Sequence, residues 1–164
     1  MNAPRFVVDT MLGRLARWLR AMGYDTLYLG PAEDRRLLQL AQIEERILLT
    51  RDARLARLAA PMGCLIEAGQ LDHQLAEVVQ KLTLSPQDAD WLSRCLECNG
   101  LLEPRQRASV SGLVPEYIFA TQSEFTGCPG CGRIYWAGSH ADRMLTRLAK
   151  LLGRGGRERP ETFA

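Results

Sequence analysis

Four cysteines in two C-x-x-C pairs, "CLEC" at Cys95 and Cys98 and "CPGC" at Cys128 and Cys131, carry the most specific chemistry of this 164-residue chain. A tight turn across each pair brings two thiolates within roughly 4 Å, as a tetrahedral zinc ion with Zn–S near 2.3 Å requires. Asn99-Gly100 and Gly132 follow the pairs and tolerate the left-handed backbone such knuckles need. The 29 residues between Cys98 and Cys128 suit a ribbon in which two hairpins pinch one metal. Four thiolates close the coordination shell, so the expected Zn²⁺ is structural rather than catalytic. His140 is then surplus as a ligand, and Cys64, between Gly63 and Leu65, reads as a small core residue. The rival uses are metal-free thiols or dithiol redox pairs. Redox chemistry favours a C-x-x-C that opens a helix directly after a strand, and neither pair has that context.

Aspartates carry the second chemistry. "RFVVD" ends an apolar run at Asp9, and "ILLTRDARLARL" sets Asp52 where another meets an Arg-rich helical pattern. Asp34, in "EDRRLLQLA", falls in a first helical turn, with Glu33 as its substitute. In an open parallel sheet the carboxyl ends of the strands share one edge, and ligands bind there. Close carboxylates repel unless a cation sits among them. Oxygen-only ligation suits Mg²⁺ or Mn²⁺, which keep waters and accept phosphate oxygens. Such an ion activates water for phosphodiester hydrolysis. Each acid also has a plainer duty: Asp9, Asp52 and Asp72 can cap helices, and Asp34 can face a helix dipole. The lone His73 reads as a surface or packing residue. Arg14 and Arg51 lie near the same expected edge and can steady phosphates. Arg17, Arg20, Arg54 and Arg57 either widen that footprint or form a solvated surface.

The elements that must position these groups follow from periodicity. "RFVVD", "DTLYLG", "RILLT" and "GCLIE" read as strands, and "RILLT" lacks polar alternation, as in a sheet covered on both faces. Helices are expected over "TMLGRLARWLRAMGY", "EDRRLLQLAQIEE", "ARLARLA" and the segment after Gly69. In the first, Met11, Leu15, Trp18 and Met22 share one face while Arg14, Arg17 and Arg20 project from the other. The β-α alternation argues for α/β architecture with a parallel sheet over roughly the first 85 residues. "SPQD" restarts a helix at Ser85, Pro86 and Asp88. From Cys95 onward "LVPEYIFA" and "RIYWAG" read as short strands, and "SHADRMLTRLAKLL" restores a helix. The expected organisation is a first domain over residues 1–91, a ribbon with a C-terminal helix over 92–152, and a disordered tail over 153–164.

Composition narrows the function classes. The chain is 46% hydrophobic, enough for a real core. No apolar run approaches the roughly 18 residues that span a bilayer. "MNAPRFVVD" lacks the pattern of a signal peptide, so a cytoplasmic address and no membrane partner are expected. Net charge is only +2. It is unevenly spread: residues 1–60 hold ten Arg against seven acids, and residues 61–100 hold two basic residues against six acids.

Taken in order, "FVVDTMLGRLARWLRAMGYDTLYL", "ILLTRD" and "CLECNG…CPGCGRIYWAGSH" resemble the Mut-seven C-terminal RNase family, from about Phe6 to about Leu152. The resemblance implies a Rossmann-like, three-layer PIN-like domain followed by a zinc ribbon, and Mg²⁺- or Mn²⁺-dependent cleavage of RNA. It maps the catalytic acids onto Asp9, Asp34 and Asp52, with Asp72 as the fourth and Glu67 as its alternative. The zinc ligands are Cys95, Cys98, Cys128 and Cys131. The ribbon is expected to aid RNA or partner binding, with Tyr135 and Trp136 either stacking bases or filling a small ribbon core. The competing function is a non-catalytic RNA- or partner-binding adaptor on the same fold.

Overall fold

The computed structural model describes residues 3–85 and 91–153. Strands β1 (Phe6–Val8), β2 (Thr26–Tyr28), β3 (Ile47–Thr50) and β4 (Gly63–Leu65) form a parallel sheet in the order β2-β1-β3-β4. Helices α1 (Gly13–Ala21), α2 (Asp34–Ile43) and α3 (Ala53–Leu58) make the crossovers, and α4 (Leu71–Lys81) follows β4. Alternate side chains leave opposite faces of a strand. Phe6 and Val8, with Leu49 and Cys64, pack into one cluster with Leu15 and Leu19 of α1 and Leu75 and Val78 of α4. Val7 and Leu48 enter a second cluster with Leu37 and Leu40 of α2 and Leu55 of α3. Both faces are therefore covered, which is why β1 is buried at all three residues. Gly63 permits the tight approach of α3 to β4, since a Cβ there would lie 2.0 Å from the Ala56 carbonyl oxygen.

The chain leaves β1 towards β2 on one side and returns to β3 on the other. The crevice between the carboxyl ends of β1 and β3 is thus the topological switch point, the place where open α/β sheets bind ligands.

A second, antiparallel sheet comprises β5 (Glu103–Arg105), β6 (Phe125–Gly127) and β7 (Ile134–Trp136) in that order. Val110, Val114 and Phe125 form its small core, backed by Ile118 and Trp136. Helix α6 (Ser139–Leu151) returns to the first sheet and buries Met144 and Leu148 in the cluster of α1 and α4. No helix among the described residues is long and apolar enough to cross a membrane.

Several local expectations are corrected. "LVPEYIFA" is not a strand: it contains helix α5 (Glu116–Thr121), begun after Pro115, whose carbonyl accepts from the Phe119 amide. The Pro-Glu start and the packing of Ile118 and Phe119 onto the ribbon core outweigh the β-propensity of "YIFA". Strands β5 and β6 had no distinct sequence signal. Residues Thr10–Leu12 form a 3₁₀ turn before α1, which turns Met11 outward to 68% exposure and puts Leu12 in the core instead. Pro86 and Asp88 of the expected "SPQD" helix start, and all but Gly153 of the expected disordered tail, lie outside the described residues.

Candidate metal centre and acidic edge

The four paired cysteines converge. Their sulfurs all lie within 4.8 Å of one another, the shortest separations being 3.5 Å for Cys95–Cys131 and 3.2 Å for Cys98–Cys128. A tetrahedral zinc thiolate site has S···S spacings of roughly 3.8 Å, so the donor set and its spacing fit Zn²⁺. Asn99 and Gly132 turn left-handed after their knuckles, at φ 73° and 75°. His140 is not part of the cluster. Burial disfavours the Cys95 thiolate, but bonds from the Tyr135 hydroxyl and the Cys98 and Glu97 amides bring its pKa down to about 6. Cys98 and Cys131 are instead pushed up: a backbone amide favours each thiolate, but burial and neighbouring sulfurs prevail. Crowded thiols cannot all ionise without a cation among them.

The ribbon is joined to the parallel sheet by buried polar side chains. Arg20 was expected on the solvent face of α1, yet it is only 5% exposed. Its Nε donates to the Thr26 carbonyl (2.9 Å), and its Nη1 donates to the carbonyls of Leu96 (3.0 Å) and Glu97 (2.8 Å) in the first knuckle. Burial lowers the pKa of Arg20, while the nearby Cys95 and Cys98 charges oppose that shift. A guanidinium here would offset the negative charge that four thiolates would leave on a divalent ion. Asn99 Oδ1 accepts from the Thr26 amide (2.9 Å), and its Nδ2 donates to Asp25 Oδ1 (2.7 Å). Asp25 also receives Arg46, at 2.7 Å and 3.2 Å. Sequence reasoning read Asn99 only as a turn former and missed Asp25 and Arg46, because their partners lie far along the chain.

At the switch point, register sets Val8 of β1 opposite Leu49 of β3, so Asp9 and Thr50 follow side by side. The Thr50 hydroxyl donates to Asp9 Oδ2 (2.8 Å) and accepts from the Asp52 amide (3.0 Å), linking the two acids' segments. Asp9 Oδ1 accepts from the Thr10 amide (2.6 Å). Asp52 Oδ1 takes both the Arg54 (2.7 Å) and Leu55 (3.0 Å) amides. Those two bonds hold the Asp52 carboxyl below the usual range. Capping uses Oδ1 alone, which leaves Oδ2 outside the cap. Asp34 begins α2, after β2, and is exposed, with no side-chain cap from Glu33. Arg14 and Arg51 are exposed at the start of α1 and just before Asp52. Among the described residues, Asp9, Asp34 and Asp52 do not form a three-ligand group of the closeness the cysteines show.

Asp72 is engaged elsewhere: its carboxylate accepts from Arg147 of α6, whose Nε lies at 3.0 Å. That guanidinium also stacks 5.0 Å from the Trp18 ring. Exposed Glu67 lies 3.4 Å from Lys81. Its amide donates to Glu77, a carboxylate that also receives Ala68 and orders the loop after β4.

The family model described as the Mut7-C RNAse domain matches residues 4–148 of this chain. A human protein, the Exonuclease mut-7 homolog, is 38% identical over 107 residues. The match covers 60% of this chain and 12% of that relative, so the shared region is a small part of the human protein. No solved structure matches the chain.

Proposed function

The chain belongs to the Mut7-C RNAse domain family, and from that premise we propose that it is a Mg²⁺- or Mn²⁺-dependent ribonuclease on a PIN-like fold. The observation that carries the reading is the Asp9–Thr50–Asp52 linkage at the switch point of the parallel sheet. Magnesium is held through one or two carboxylates, several waters and substrate phosphates. The Asp9 and Asp52 carboxylates would hold such an ion, with Asp34 at the start of α2 as the third acid of the site. A bound divalent ion there supplies an activated water and stabilises the leaving oxygen. The Thr50 hydroxyl orients Asp9, and the α3 amides orient Asp52 and keep it ionised. Arg14 and Arg51 hold phosphates of the RNA strand. Asp72 is given no step, because Arg147 occupies it. Zinc on Cys95, Cys98, Cys128 and Cys131 holds the ribbon, which extends the RNA surface.

The test is cleavage of labelled RNA with Mg²⁺ or Mn²⁺ by Asp9→Asn and Asp52→Asn. Asparagine caps a helix as well as aspartate does, so Asp52→Asn keeps α3 intact. Both variants should lose cleavage with unchanged circular dichroism. Full cleavage by both removes the acids from the mechanism. A second reading, an RNA-binding module without catalysis, draws support from the spread of the three acids and the capping duty of Asp52. Tight RNA binding with no cleavage under either ion would select it.

A further inference from the structure

We propose that Thr10 and Tyr28 are positioning residues: their hydroxyls fasten the loop ahead of Asp34 to the turn behind Asp9, and so bring the third acid to an ion held by Asp9 and Asp52. This rests on the ribonuclease reading and names the residues that assemble its metal site.

Asp34 has the longest way to come. In the order β2-β1-β3-β4, Asp9 and Asp52 follow the neighbouring strands β1 and β3. Asp34 follows β2, on the other side of β1. β2 and β3 are two strand spacings apart, roughly 9.5 Å. The loop of residues 29–33 must therefore lean over the end of β1 if Asp34 is to share an ion with Asp52. No described strand lies beyond β2 to guide that loop.

Two hydroxyls supply the guidance. Register sets Val8 of β1 opposite Tyr28 of β2, so Asp9 and Leu29 follow side by side. One residue further along each segment, the Thr10 hydroxyl donates to the Gly30 carbonyl (3.1 Å). The Tyr28 hydroxyl donates to the Thr10 carbonyl (3.1 Å). Both bonds meet at Thr10, the residue after Asp9, and together they close a small ring between the two segments. Gly13 makes room for the phenol, since a Cβ there would lie 2.7 Å from Tyr28 Cζ. Gly30 turns left-handed at φ 70°, and Pro31 follows with its own φ fixed by its ring. Ala32 then packs on the cluster of Val7 and Leu37. The loop is thus pinned at Gly30 and Ala32, shortly before Asp34 begins α2. Both hydroxyl bonds are open to solvent, so water can replace them at small cost to the core. The direction of the loop depends on them far more than the fold does.

The experiment uses the full chain, with one equivalent of Zn²⁺ added to occupy the cysteines, and follows Mn²⁺ binding by electron paramagnetic resonance without RNA. Thr10→Val keeps the side-chain shape and loses the hydroxyl. It should weaken Mn²⁺ binding about tenfold, as loss of a partner that orients a ligand does. Thr10→Ser, which keeps the hydroxyl, should restore it. Thr10→Val combined with Asp34→Asn should bind Mn²⁺ no more weakly than Asp34→Asn alone, because the hydroxyl acts through that carboxylate. A brace for the fold would add its full loss instead. Tyr28→Phe leaves the ring in place and repeats the cycle independently of Thr10. Circular dichroism and urea midpoints check that the variants fold. If the wild type binds Mn²⁺ and cuts RNA while Thr10→Val and Tyr28→Phe bind Mn²⁺ normally, or their losses add in full to that of Asp34→Asn, the positioning role falls alone. If the wild type neither binds Mn²⁺ nor cuts RNA, the ribonuclease reading falls and takes the positioning role with it.

Discussion

Replacing Asn99 tests whether the first cysteine knuckle and the parallel sheet are one mechanical unit. Asn99→Ala strands the fully buried Thr26 amide, which otherwise donates to Asn99 Oδ1 at 2.9 Å. An unsatisfied buried amide costs about 1–3 kcal/mol. The lost bond to the part-buried Asp25 carboxylate (2.7 Å) adds about 1 kcal/mol. Alanine at φ 73° adds roughly 1 kcal/mol of backbone strain. The expected destabilisation is therefore about 3–5 kcal/mol. Asn99→Gly relieves the strain but restores neither bond, so it should cost about 2–4 kcal/mol. The assay is urea unfolding at fixed zinc concentration, with stability taken from the midpoint at constant slope. A loss below about 1 kcal/mol for Asn99→Gly would mean that water satisfies Thr26, and the coupling argument would be wrong.

Acid should expose the same junction. Burial alone would raise the Asp25 pKa, but hydrogen bonds from Arg46 and Asn99 outweigh it and hold the carboxyl below its ordinary 3.8. The unfolded chain then binds this proton more readily, so the contribution is present above about pH 4 and is lost as pH falls through the depressed native value. Asp25→Asn should flatten the decline in urea midpoint below pH 4; comparing it with wild type cancels what the cysteines contribute, and parallel curves would refute the assignment. Native mass spectrometry should find one zinc per chain, and free thiols with no bound metal would overturn the ribbon site. Zinc removal should accelerate hydrogen exchange at the Thr26 amide, because its acceptor belongs to the knuckle; unchanged protection would show that the two parts are independent.

Features governed by neighbours in the chain were readable early. The two C-x-x-C turns, the β-α alternation and Asp52 at a strand-to-helix junction depend on spacing over a few residues, and each stands where spacing put it. The α5 helix was misread because a short aromatic and β-branched run suits either state, and packing on Phe125 decided between them. Met11 was placed on the wrong face because a 3₁₀ turn has a different period from the helix that follows it.

The sequence by itself determined which residues have the chemistry for metal and phosphate, and on which elements they stand. Only tertiary structure decided that β1 and β3 are neighbours, that Thr50 links the segments of Asp9 and Asp52, and that Arg20 turns inward to the first cysteine knuckle. Those outcomes join residues up to 77 positions apart. Local spacing carries no information at that range; burial of the strands between helices, and the need to pair every buried donor and acceptor, select the partners.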